Sequence, residues 1–191
     1  MTDRLIIGMS GASGAAYGIR LLEILRDHPV ETHLVMSKAA ALTITAETDH
    51  TVERVRALAD VSYPVGDVGA GIASGSFRTR GMVIAPCSIK TLSEVANCAA
   101  GNLLARAADV TLKERRRLVL MVRETPLHAG HLRLMSQATE AGAIIMPPVP
   151  AFYARPASLA DMVDHTVGRV LDLFDIDSGL AHRWKEAPPE A

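Results

Sequence analysis

Apolar residues along the chain come in short unbroken runs that alternate with stretches of helical period. Arg4-Leu-Ile-Ile-Gly-Met9 leads straight into small residues and then an amphipathic segment. That order predicts a buried parallel strand over Arg4–Met9, a tight turn, and a helix from about Ser13 to Asp27. Gly18, Leu21, Leu22 and Leu25 share one face of that helix, with Arg20, Glu23 and Asp27 opposite. Glu31–Met36 predicts a second strand, and Ser37 is placed to cap a helix over Lys38–Ala46. Glu47-Thr48-Asp49 ends that helix, and Thr51–Ala59 forms a further helical piece. Ser62–Phe77, rich in Gly, Ser and Pro, is the one long loop and carries Ala73-Ser-Gly-Ser76.

The later chain repeats the alternation. Gly81–Ala85 is a strand broken by Pro86, and Pro86-Cys-Ser88 opens a helix much as the first glycine-rich turn does. Asn102–Glu114 is helical, Leu118–Val122 a strand, His128–Ala141 a helix and Gly142–Met146 the last strand. Ser158-Leu-Ala-Asp161 reads as a capping box for a helix through Phe174. The tail from Asp175 is expected to be partly extended, to hold Trp184, and to fray in its polar Pro/Glu end. Strands alternating with helices imply a doubly wound, mostly parallel α/β sheet in three layers, as a single domain over residues 1–191. Short connections put the first two strands side by side. Ser10, Ser13, Ser37, Ser88, Arg123 and Glu124 then gather at the carboxyl ends of strands, where such sheets bind ligands.

The first turn fits an anion. Gly8, Gly11 and Gly14 recur every third residue, Ser10 and Ser13 are candidate N-caps, and a helix N-terminus points at the turn. The spacing is neither the dinucleotide fingerprint nor a Walker A loop. Arg123 and Glu124 follow a wholly apolar strand, an expensive place for charge. They are either a mutual ion pair or a ligand clamp and a proton carrier. Arg106, Asp109 and Lys113 share a helix face, as a solvated face bridged by Asp109 or as a phosphate clamp. His128 and His131 read as ordinary histidines at a helix start, and Cys87 as a small buried thiol. Tyr153 and Arg169 suit a contact with another subunit or with a ligand at that seam.

Composition narrows the partners. Twenty Lys and Arg against 21 Asp and Glu leave a net charge of −1, no footprint for nucleic acid, so Lys113-Glu-Arg-Arg-Arg117 reads as a basic helix terminus. Apolar residues make up 49% with few aromatics, which favours burial between copies and predicts a homo-oligomer. Two cysteines make neither a disulfide framework nor a zinc site. No leader pattern opens the chain and no apolar run reaches the about 18 residues of a membrane span. A cytoplasmic protein is expected.

The chain resembles the UbiX-type flavin prenyltransferases. Gly11-Ala-Ser-Gly14, Ser37-Lys38, Glu47-Thr48, Ala73-Ser-Gly-Ser76, Pro86-Cys-Ser88, Leu112-Lys-Glu-Arg-Arg116, Arg123-Glu-Thr-Pro126, Pro150-Ala-Phe-Tyr153 and Arg169 carry the resemblance, in order, over about Arg4 to Trp184. It implies a flavodoxin-like fold binding reduced FMN. It also implies metal-free transfer of a dimethylallyl group from dimethylallyl phosphate to flavin N5 and C6. The product would be the cofactor of a UbiD-type decarboxylase, and the assembly a trimer or dodecamer. By the same resemblance Gly11, Ala12, Ser13, Ser37, Ser88, Ile89, Lys90, Thr91 and Arg123 hold FMN. Ser74, Arg106, Lys113, Tyr153 and Arg169 hold the prenyl phosphate, and Trp184 helps wall the site. Ser13, Glu47 and Glu124 move protons, with Glu124 buried near the leaving group, and Lys113 acts on that group. Ile89-Lys90 departs from the Thr-Gly of some members. The alternatives are an FMN-dependent cysteine decarboxylase of the same fold and a non-catalytic FMN-binding decarboxylase subunit.

Overall fold

The computed structural model describes residues 3–184. They form two compact units, one running to Pro147 and one starting at Pro148. The polar end at 185–191, expected to fray, lies outside the described residues.

The first unit is built on a six-stranded sheet in the order β3-β2-β1-β4-β5-β6. Its strands are β1 Arg4–Met9, β2 Glu31–Met36, β3 Val61–Tyr63, β4 Gly81–Cys87, β5 Arg117–Val122 and β6 Ala143–Ile145, all parallel. β1 and β2 keep their predicted bounds. β1 is apolar after Arg4, as a strand covered on both faces is, while β2 opens on Glu31, Thr32 and His33 before its apolar end. Ile6, Met82, Ile84, Leu118 and Leu120 point to one face, where Leu104, Ala107 and Ala108 of α5 (Leu103–Lys113) meet them. Leu5, Ile7 and Met9 alternate to the other face, and Met9 reaches α1 (Ala15–Leu25) at Gly18. Helices on both faces and a strand order that reverses between β1 and β4 make this a flavodoxin-like, Rossmann-like doubly wound fold. In such folds the reversal is where a ligand crevice forms, here at the carboxyl ends of β1 and β4.

Three local expectations are corrected. Ser62 and Tyr63 belong to an edge strand rather than the loop, too short and too polar at Ser62 to show a period. Pro86 and Cys87 remain in β4, since the pairing with β5 slips between Ile84 and Cys87 and a slipped position tolerates a residue without an N–H. Neither Ser10 nor Ser13 caps α1; Gly14 stands at the cap with φ 105°, a conformation that favours glycine, and offers no side chain. The other helix starts agree with the sequence: Ser37, Ser88 and Asn102 cap α2 (Lys38–Glu47), α4 (Ile89–Ala96) and α5 through their side chains. A short helix α3 (Val52–Arg56) precedes β3, and α6 (Ala129–Glu140) joins β5 to β6.

The second unit holds a 3-10 turn at Phe152–Ala154 and helix α7 (Leu159–Asp172), opened by the Ser158–Asp161 capping box. Its tail returns over α7, with Ala181 so close to Gly168 that a Cβ there would lie 2.8 Å from the Ala181 nitrogen. No helix among the described residues is long and apolar enough to cross a membrane.

Candidate active site

The crevice between β1 and β4 is pinned by a serine. Buried Ser10 donates its N–H (3.1 Å) and hydroxyl (2.8 Å) to the Pro86 carbonyl, and accepts from the Ser88 N–H at 2.7 Å. Ser10 is therefore a brace between strand ends, not a ligand donor. The turn after it lies flat on α2: Ala12 is buried, Gly11 abuts Ala39, and Ser13 faces solvent.

A carboxylate occupies the start of α1. Glu47, the last residue of α2, accepts from the Gly14 N–H at 2.8 Å and the Ala15 N–H at 3.1 Å. Burial pushes its carboxyl up, but hydrogen bonds from Gly14, Ser13 and Ala15 and the charge of Arg123 outweigh that and hold it below the usual glutamate range. The positive end of this helix is thus already met by an internal anion. At α4 the Ser88 hydroxyl accepts from the Thr91 N–H at 3.3 Å, and no carboxylate accepts from that first turn among the described residues. Ile89 is half-buried, while Lys90 turns outward to Glu94 at 2.6 Å. Ser37 likewise spends its hydroxyl on the Ala40 N–H at 3.0 Å.

Arg106 and Lys113 come together under the Ala73–Ser76 loop. Arg106 donates through Nε to the Ala73 carbonyl (3.3 Å) and pairs with Asp109 at 2.8 Å. Lys113 pairs not with Asp109 but with its neighbour Glu114. Arg116, which the sequence leaves indistinguishable from Arg115 and Arg117, is the loop's main support. Its guanidinium donates to the carbonyls of Gly75 (2.6 Å) and Phe77 (2.7 Å). Ser74 and Ser76 share a hydroxyl contact at 2.9 Å. The charge run itself gives no hint of this; only a contact some forty residues away assigns it.

Arg123 and Glu124 are exposed, contrary to the expectation of buried charge. The Arg123 N–H still donates to the Cys87 carbonyl (3.0 Å), but both side chains then leave the sheet edge, and the Glu124 carboxylate accepts from the Thr125 N–H at 3.0 Å. Glu47 is likewise exposed, so neither of the two carboxylates expected to carry protons is enclosed by this chain alone. Cys87 is fully buried and burial pushes its thiol far up, which agrees with a packing role. His128 caps α6, accepting from the Gly130 N–H at 3.0 Å.

In the second unit Tyr153, His165 and the tail close a ring of hydrogen bonds. The His182 N–H donates to His165 Nδ1 (3.1 Å), so Nε2 carries the proton and faces the Tyr153 oxygen at 3.4 Å. The Tyr153 hydroxyl donates to the His182 carbonyl at 3.3 Å. Trp184 stands edge-on to Tyr153 with ring centroids 5.5 Å apart. Burial, then Arg169 and His182, lower the His165 pKa against the pull of Asp172. Arg169 pairs with Asp172 at 2.7 Å, and Arg183 joins the same carboxylate at 3.0 Å. A cavity of about 240 Å³ lies beside His165 and His182. His165 and Asp172 were not among the sequence candidates; Asp172 was within reach of the i, i+3 rule from Arg169.

The Flavoprotein family model matches residues 2–176. The flavin prenyltransferase UbiX of Thauera aromatica is 62% identical over 181 residues, covering 95% of this chain and 93% of that protein. The chain belongs to the UbiX flavin prenyltransferases. Among solved structures, AnUbiX (PadA1) in complex with FMN and dimethylallyl pyrophosphate is similar with a TM-score of 0.96 and 52% identity, covering 98% of this chain and 100% of that one. A dodecameric FMN-dependent UbiX-like decarboxylase from Escherichia coli O157:H7 follows at 0.93 and 50%, covering 95% and 99%. Membership of a UbiX family with this likeness throughout removes the cysteine-decarboxylase alternative. Each of Arg106, Lys113 and Arg169, the cations expected to meet phosphate, already holds a carboxylate.

Proposed function

We propose that this chain joins the dimethylallyl group of dimethylallyl phosphate to N5 and C6 of reduced FMN, and that a UbiD-type decarboxylase receives the product. Family membership supports the reaction. The observation that carries the assignment to this site is the cluster at the sheet's switch point, where Ser13 and the Glu47 carboxylate meet under the charge of Arg123. Bound there, reduced FMN supplies the nucleophilic positions. Gly11, Ala12, Ser13, Ser37, Ser88–Thr91 and Arg123 are the residues to hold it. The α4 start is the better seat for its phosphate, because Glu47 already covers the α1 start. Lys90 contributes main chain only, its side chain being spent on Glu94.

The prenyl donor needs its phosphate stabilised as the allylic C–O bond opens. Arg106 and Lys113 are the cations for that anion, with Ser74 beside them, and Arg169 and Tyr153 complete the set from another subunit. Glu47 and Ser13 share a proton path at flavin N5, and Glu124 delivers a proton to the departing phosphate. Trp184 helps exclude water, which would otherwise quench the allyl cation. Because Glu47 and Glu124 are open to solvent here, that exclusion is completed by the ligands and by another copy of the chain, in a trimer or dodecamer. The compartment that fits this chemistry is the cytoplasm.

The test is direct. Incubated with reduced FMN and dimethylallyl phosphate without oxygen, the protein should yield a flavin heavier by one C5 unit and restore a UbiD-type apo-decarboxylase. Unmodified flavin, with the donor as monophosphate or pyrophosphate, overturns the reading in favour of a passive FMN-binding subunit.

A further inference from the structure

Lys113 is the last residue of α5 and Glu114 its C-cap, so the carboxylate stands where the helix dipole disfavours negative charge. It is nonetheless held there. One oxygen binds the Lys113 ammonium, and the other lies 4.0 Å from Arg116. Those contacts, Lys113 first and Arg116 last, keep the Glu114 carboxyl below its ordinary range despite some burial. The pair rests against the bare Cα of Gly75. A Cβ at that position would collide with the Glu114 carboxylate and lie 2.7 Å from Lys113 Nζ. Ser74, beside Gly75, is the loop residue assigned to the donor. On that assignment the Lys113–Glu114 pair occupies the place a phosphate would take.

The two cations differ in freedom. Arg116 is committed to the Gly75 and Phe77 carbonyls and is only 17% exposed, whereas the Lys113 side chain is 46% exposed. Lys113 can swing to a new anion, while Glu114 stays tethered near a cation that cannot follow. A phosphate taking Lys113 would then sit next to a carboxylate that has lost its closest partner, and the two anions repel.

We propose that Glu114 is a built-in competitor for Lys113, an affinity-determining residue that weakens phosphate binding and hastens departure of the inorganic phosphate left after prenyl transfer. The inference rests on the reading of Lys113 as a phosphate ligand. The donor tolerates the competition because its C5 chain adds apolar binding that inorganic phosphate lacks. Inorganic phosphate keeps only the polar contacts, one of them contested by Glu114, and leaves sooner.

The experiment titrates inorganic phosphate onto the full chain by calorimetry in phosphate-free buffer, for wild type, E114Q, K113M and the double variant. E114Q should bind phosphate about threefold to fivefold tighter, the range a solvent-facing ion pair supports. Phosphate should inhibit prenyl transfer more strongly by the same factor. K113M should weaken phosphate binding, and in its background E114Q should change nothing. E114Q binding phosphate no tighter than wild type, with K113M still weakened, overturns the role of Glu114 alone. K113M binding phosphate as wild type does overturns the reading of Lys113, and this inference with it.

Discussion

His165 shows how one side chain can set the behaviour of a segment. It accepts the His182 N–H on Nδ1, which only the neutral ring can do. Its pKa is lowered, chiefly by burial, so folding disfavours the proton. The contribution to the folded state is therefore full above the ordinary histidine pKa of about 6.5. It is lost as pH falls through the lower value in the folded chain. Arg169 and His182 oppose the incoming charge, and Asp172, which attracts it, is already shared by two arginines. Acidification from pH 7 to pH 5 should release residues 180–184 from α7. Trp184, the single tryptophan, reports this directly: its emission should move toward that of a solvated indole as pH falls. In H165F, which has no proton to gain, the tryptophan signal should be flat across the same range.

Among the elements, what the sequence made legible was whatever a local rule governs. β1 and β2 match their predicted bounds, and Ser37, Ser88 and Ser158 cap as their positions suggest, because capping needs only the next three residues. β3 escaped because three residues cannot display a period. The cap of α1 escaped because its acceptor, Glu47, lies 33 residues away. Arg116 escaped for the same reason: its neighbours Arg115 and Arg117 look identical until the fold carries the Gly75 and Phe77 carbonyls to one of the three. Family motifs pointed to Ser74, Arg106 and Lys113, yet not to the support that holds Ser74 over Lys113. R116M should leave two carbonyls without their charged donor and cost about 2 kcal/mol in denaturant unfolding, given typical hydrogen bonds to charged groups. It should raise KM for the prenyl donor more than it lowers kcat, since the loop positions rather than reacts. R116K, keeping the charge but not the fork, should fall between.

Taken as a whole molecule, the single chain is unfinished. Phe152 is 75% exposed and Leu159 80%, and Val149 and Leu42 are nearly as open at 71% and 72%. Three of these fall within the eleven residues 149–159, beside Tyr153. Burying one such side chain against a partner is worth roughly 1.5–3 kcal/mol, so a few of them suffice to drive assembly. The same chain leaves Glu47, Arg123 and Glu124 open to water, although the chemistry of an allyl cation demands a dry site. Assembly answers both needs at once. F152D and L159E should each shift the protein from oligomer toward monomer in sedimentation velocity. Unfolding of the isolated chain should change by less than about 0.5 kcal/mol, because neither side chain packs within it. Prenyl transfer should fall in step with the oligomer fraction, and raising protein concentration should restore it. A monomeric F152D that transfers the prenyl group at full rate would show instead that one chain encloses its site unaided. The exposed Glu47 and Glu124 would then have to be covered by the bound flavin and donor alone.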